Sequence, residues 1–118
     1  MRTFVVDKSK WLRGEGGSAS YLCRPSDGKM CILGLFGESL GIPRQAMKGQ
    51  KRPGAVKSSL WPHWLFNLAD TESPDSNGLI ADNDAGNYWN LDAEQARQKR
   101  IRDRFAKHGI DVLFADPG

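Results

Sequence analysis

Cysteine and histidine are scarce in this chain, two of each in 118 residues. Two cysteines are too few for a disulfide framework, so the fold must rest on its own core. Cys23 and Cys31 could pair in principle; with no signal peptide, reduced thiols in a cytosolic protein are the expectation. Together with His63 and His108 they show no recognisable ligand spacing, so no metal site is expected. No apolar run approaches the length of a membrane span. Lysine and arginine are absent between residues 58 and 92, a stretch that carries six acids.

That gap is part of a wider segregation of charge. Residues 1–57 carry eleven basic and four acidic side chains, and residues 93–118 carry six and four, for a net charge of +3. Such asymmetry reflects either partner electrostatics or two solvated faces. The length is that of a single domain over residues 1–118, able to bury roughly two thirds of its unfolded surface.

The longest apolar run is Gly28 to Pro43, GKMCILGLFGESLGIP. Ile32, Leu35, Phe36 and Leu40 share one helical face, and Gly34 and Gly37, three apart, permit close backbone approach. Gly41-Ile42-Pro43 reads as a helix stop, with glycine in the left-handed cap position and proline blocking continuation. This is the expected central buried helix.

Around it, Thr3 to Asp7 reads as a strand, Gly14 to Ser18 as a flexible hairpin connection, and Ala19 to Arg24 as a second strand. Pro25-Ser26-Asp27-Gly28 has the residue types of a β-turn. From Pro43 to Ser59 the chain reads as a basic surface loop with one helical turn at Pro43 to Met47. In Leu60 to Leu68, Trp61, Trp64, Leu65 and Leu68 share a helical face. Ala69 to Gly78 reads as a loop, and Leu79-Ile80-Ala81 as a third strand. Asp92 with Gln95 offers a capping box for a last helix, with Ile101 and Phe105 on its buried stripe and Gly109 at its end. Ile110 to Phe114 alternates as a final strand. The expected fold is a small α+β domain: a short antiparallel sheet of three or four strands packed against two or three helices.

Motifs with chemistry are few. Gly37-Glu38-Ser39-Leu40-Gly41 matches the nucleophile elbow, yet it closes a helix instead of joining a strand to one, and the chain is short for the sheet that chemistry needs. Asp82-Asn83-Asp84-Ala85-Gly86 opens like a calcium loop, but its glycine falls at the fifth position and Ala93 stands where a bidentate glutamate belongs. The glycine-rich loop at Gly14 lacks the Lys-Ser/Thr of a phosphate loop. No catalytic residue, metal or cofactor is expected.

Binding surfaces are better represented. Asp70, Glu72, Asp75, Asp82 and Asp84, with Trp89 as an aromatic centre, form a candidate protein-binding patch suited to a basic, nucleic-acid-handling partner. Arg97, Arg100, Arg104 and Lys107 recur at three- and four-residue steps; with Lys51 and Arg52 they form a candidate nucleic-acid footprint. The plainer reading of that row is a solvated helix face with local ion pairs among Lys99, Asp103 and Lys107.

The strings FVVDKSKWLRGEG (Phe4 to Gly16), SYL (Ser20 to Leu22) and GKMC-x-LG (Gly28 to Gly34), with the trailing Gly41-Ile42, resemble a family of small phage and prophage proteins. The ending is similar too: Asn83-Asp84, then Arg100, Ile101, Phe105, Gly109-Ile110 and Val112. That family often has adjacent cysteines where this chain has Cys31-Ile32, a departure that argues against a shared metal or dithiol role. The resemblance implies an origin on a mobile element. The expected function is a non-enzymatic accessory protein that binds and inhibits a host protein or ribonucleoprotein complex in the bacterial cytoplasm, most sharply as an anti-CRISPR inhibitor. A nucleic-acid-binding module using the last helix is the alternative.

Overall fold

A computed structural model describes residues 2–12, 21–51, 53–56, 58–65, 74–84 and 91–116, with the side chains of 74–77 and 84 left aside. In chain order the elements are β1 (Arg2–Asp7), α1 (Ile32–Ser39), α2 (Arg44–Met47), α3 (Pro74–Asp84), α4 (Leu91–Ala106) and β2 (Ile110–Ala115), with single 3-10 turns at Lys8–Lys10 and Pro53–Ala55. α4 packs on β2, α1 on β1, and α3 bridges α1 and α4.

The sheet corrects the sequence expectation. Among the described residues it has two strands, not three or four, and they run parallel, with Arg2 opposite Ile110 and Asp7 opposite Ala115. The pair joins the first and last elements of the chain, so nearly the whole polypeptide serves as the crossover that a parallel pair requires. Alternation does hold within each strand: Phe4, Val6, Ile110 and Val112 face inward while Val5 and Leu113, opposite one another, stay exposed. Of the expected second strand, Tyr21 to Arg24 makes only an isolated bridge between Cys23 and Lys48. Leu79 to Ala81 is not a strand but the middle of α3, which begins at Pro74 inside the expected loop. Three apolar residues carry no period, and the helix is favoured because it buries Leu79 and Asn83, one turn apart, together. The segment after Ser59 needs a further correction. Leu60 to Leu65 forms turns closed by Leu65 N–H on the Pro62 carbonyl, not a helix, although Trp61 and Leu65 are buried as expected. The loop at Gly14 to Ser18, and Leu68, lie outside the described residues.

α1 is the buried centre that its sequence predicts. Ile32 through Phe36 are all buried, and so is Gly37, so the helix has no solvated face at its start. A Cβ on Gly34 would overlap the Leu22 carbonyl oxygen, and one on Gly37 would lie 2.7 Å from the Trp61 ring. Gly41 has φ +100°, its N–H donates to the Glu38 carbonyl, and Ile42 N–H donates to the Gly37 carbonyl, both at 3.0 Å. These two bonds are the Schellman closure that Gly41-Ile42-Pro43 implies.

The other end of α1 has no cap of its own, because Cys31 makes no side-chain bond there. Asn83 supplies one from α3. Its Oδ1 accepts from Ile32 N–H at 2.9 Å and from Trp11 Nε1–H at 2.6 Å, while its Nδ2 donates to the Leu12 carbonyl at 2.9 Å. Around α1 the rings of Phe4, Phe36, Phe105 and Trp64 meet at centroid separations of 4.9 to 5.9 Å, joining β1, α1 and α4. Trp64 in turn stacks on His108 at 4.0 Å.

Replacing Gly34→Ala forces the Leu22 backbone away from α1 and is expected to cost about 3 kcal/mol or more, since overpacking against main chain cannot relax by rotamer change. Asn83→Ala strands two buried donors and one acceptor and is expected to cost about 3 kcal/mol. Urea unfolding followed by tryptophan fluorescence checks both; wild-type midpoints would contradict them.

Candidate functional site

Like charges one turn apart on a helix repel, so Arg100 and Arg104 on α4 call for a counter-charge from elsewhere. α3 delivers it. Asp82 Oδ1 accepts from Arg100 Nε–H at 3.2 Å and Oδ2 from Arg104 Nε–H at 2.7 Å. One turn earlier on α3, Gly78 leaves a flat surface on which the Arg104 guanidinium lies; a Cβ there would overlap Arg104 Cζ. Lys107 follows on the next turn of the chain. Asp82, Arg100, Asp103, Arg104 and Lys107 together line a shallow cleft of about 210 Å³. Asp103 is held by Lys99 at 2.7 Å. The Arg100 and Arg104 side chains remain 47% and 32% exposed, so their positions are set by Asp82 while part of each faces solvent.

This cleft merges the two surfaces that the sequence keeps apart. Three residues of the basic footprint, Arg100, Arg104 and Lys107, meet one of the acidic patch, Asp82. Asp82 is therefore corrected: it is buried between two arginines, not displayed as a free acid. Arg97 is corrected as well. It is fully buried, with Nη1 3.1 Å from Glu94 Oε1, because it points to the inner side of α4 with Ile101 and Phe105. Lys51 is exposed but lines no part of this cleft; its ammonium stands 5.3 Å from the Tyr21 ring. Asp75 and Asp84 fall within α3, their side chains outside the description. Asp70, Glu72, Trp89 and Arg52 lie outside the described residues.

The motifs that suggested chemistry are used for structure. Ser39 Oγ–H donates to the Phe36 carbonyl at 2.6 Å, and Arg2 reaches the Ser39 carbonyl at 3.3 Å, so this serine closes the last turn of α1. Asp82 and Asn83, the start of the calcium-like spacing, are helical and turned inward. Cys23 and Cys31 are both buried and are not joined in a disulfide. Among the described residues no group of three or more His, Cys, Asp or Glu is placed to hold a metal ion. No described helix is long and apolar enough to cross a membrane.

No protein-family model matches the chain, and no curated protein or solved structure matches it. The geometry of the cleft therefore carries the functional reading. Gly78 is the site residue that sequence reasoning misses. Its one signal is a glycine inside a segment that turns out helical, where it costs about 1 kcal/mol against alanine and so needs a packing reason.

Asp82→Asn keeps the shape of the side chain and removes the charge between two cations. After discounting for the exposure of both arginines, the expected loss is about 1–2 kcal/mol. A double-mutant cycle with Arg104→Ala, read by urea unfolding, should show coupling between the two sites; strict additivity would mean that the pair contributes nothing.

Proposed function

We propose that this chain is a non-enzymatic accessory protein of a phage or mobile element that acts in the host cytoplasm by binding and inhibiting a host macromolecular complex. Its sharpest form is an inhibitor of a CRISPR-type defence complex. The face it uses is the α4 cleft. The single observation that carries this reading is the pair of guanidinium groups held in place by Asp82 at 3.2 and 2.7 Å. A pre-positioned arginine loses less freedom on binding than a mobile lysine, and arginine is enriched among the residues that dominate interface energies.

The lining alternates in sign, with Asp82 and Asp103 beside Arg100, Arg104 and Lys107. Such a mixture suits the side chains of a protein, which bring both signs of charge, better than a run of phosphates, which brings one. The loss of Arg97 to the core weakens the nucleic-acid alternative for this helix in the same direction. The likeness of Phe4–Gly16 and Gly28–Gly34 to small phage proteins supports the accessory role.

Tagged protein passed through host lysate should retain one stoichiometric protein complex. Arg100→Glu with Lys107→Glu should lower affinity for that purified complex at least about tenfold, or 1.4 kcal/mol, while far-UV circular dichroism stays unchanged. In cells, expression should let a targeted plasmid escape interference. Absence of any stoichiometric partner overturns the proposal, as does full inhibition by the double variant.

A further inference from the structure

A sheet of two strands has two outer edges, one on β1 and one on β2. Arg2 N–H donates to the Gly109 carbonyl at 3.3 Å, and the register sets Arg2 opposite Ile110. In a parallel ladder only alternate residues of a strand bond to a given neighbour. Arg2, Phe4 and Val6 therefore turn their amides to β2, while Thr3, Val5 and Asp7 turn theirs away. On β2 the residues turned away from β1 are Ile110, Val112 and Phe114.

The two edges differ in access. Ile110 and Val112 are 6% and 4% exposed, so the outer edge of β2 is covered. Thr3 and Val5 are exposed, Val5 to 55%. Among the described residues no main-chain bond reaches either of them from the side away from β2. An open strand edge is a template for another strand, and β1 carries none of the usual guards against pairing. Between Arg2 and Asp7 it has no proline, glycine or charged residue, and its register with β2 runs without a bulge.

The side chains of that edge complement themselves. Laid antiparallel about a two-fold axis through Val5, a second β1 brings its own Val5 opposite Val5 and its Asp7 opposite Thr3. All of these residues turn their amides to the edge, so the pairs can exchange main-chain bonds. On the outer face Leu113 is 55% exposed and lies opposite Val5, so the two copies together make one apolar row, Leu113, Val5, Val5, Leu113. Thr3 brings a hydroxyl to Asp7, whose Oδ1 accepts from Ser9 N–H and Oγ–H at 2.9 and 2.6 Å and whose Oδ2 has room for a further donor. The cations at the ends are engaged elsewhere. Arg2 donates to the Ser39 carbonyl at 3.3 Å, and Lys8 Nζ lies 3.3 Å from Asp116. A foreign strand would have to bring the same order of hydroxyl, apolar residue and acid, which every copy of this chain already carries.

We infer that two copies of this chain join edge to edge through β1, antiparallel with Val5 on the two-fold axis, into one four-stranded sheet ordered β2-β1-β1-β2. The pairing is isologous and closes at two, because it consumes the one accessible edge of each copy. A single strand pair buries less than the roughly 1,600 Å² of a standard interface, so the dimer is reversible and forms as concentration rises. It uses no residue of the α4 cleft and goes beyond the function proposed for that face.

Sedimentation equilibrium from micromolar to millimolar protein tests it. The mean mass should rise from that of one chain toward that of two. Val5→Lys sets like charges face to face and should move the midpoint about fivefold or more to higher concentration, and Val5→Glu should do the same. An equimolar mixture of these two variants should restore association, because opposite charges meet only if position 5 faces itself. Arg100→Glu with Lys107→Glu should leave the midpoint unchanged. As a check that does not depend on the charged variants folding, air-oxidised Val5→Cys should run as a linked dimer on a non-reducing gel and Thr3→Cys as a monomer. Hydrogen-bonded antiparallel partners stand about 5.5 Å apart at Cα, within disulfide reach. A monomer at every concentration overturns the inference, as does a dimer indifferent to both charges at position 5 or one linked equally well through Thr3→Cys. A monomer that instead takes up an unrelated extended peptide along β1 puts a foreign strand on the edge and overturns it too.

Discussion

One amide side chain ties the interior together. α1 is buried on every side at its start, so the N–H of Ile32 has no water to turn to and Cys31 gives it no cap. A buried donor left unbonded costs about 1–3 kcal/mol, and the indole of Trp11 and the carbonyl of Leu12 would raise the same demand nearby. Asn83 answers all three with its two polar atoms. The consequence reaches beyond the core. Holding Asn83 inward fixes the rotation of α3, and that rotation presents the adjacent Asp82 to α4.

From that orientation the charged residues divide into two kinds. Arg97 with Glu94 is interior, and Asp82 with Arg100 and Arg104 joins two helices while leaving part of each arginine at the surface. Gly78 matters here because only a residue without a Cβ lets the Arg104 guanidinium lie against α3. The N-terminal half is arranged differently. There Asp27 and Glu38 are each taken by an arginine, while Asp7 accepts from Ser9.

Much of the helical punctuation was legible. Gly41 and Gly109 both have positive φ at helix ends, as their flanking isoleucines suggest, and Gly34 and Gly37 do admit a backbone and a ring against α1. Glycine is readable because its special φ and its missing side chain are local properties. The strands at Thr3 to Asp7 and Ile110 to Phe114 were both legible, the second from its alternation. The pairing of those strands was not, since alternation is the same in parallel and antiparallel ladders. The short run Leu79 to Ala81 reads wrongly as a strand for a related reason: three apolar residues fit either period, and what decides between them is Asn83 finding its partners in α1 and the Trp11 segment. Arg97 and Arg100 look alike in the sequence, and only the direction of the core separates a buried ion pair from a surface cation.

The sequence by itself determined a compact α+β chain with a buried central helix, its stops, and the uneven distribution of charge. Only the tertiary structure decided that the terminal strands pair in parallel, that α3 is a helix, and which charges reach solvent. The physical reason is range: turns, caps and periodicity act within a few residues, whereas Asn83 to Ile32 and Asp82 to Arg104 are contacts between segments that the chain brings together only once it has folded.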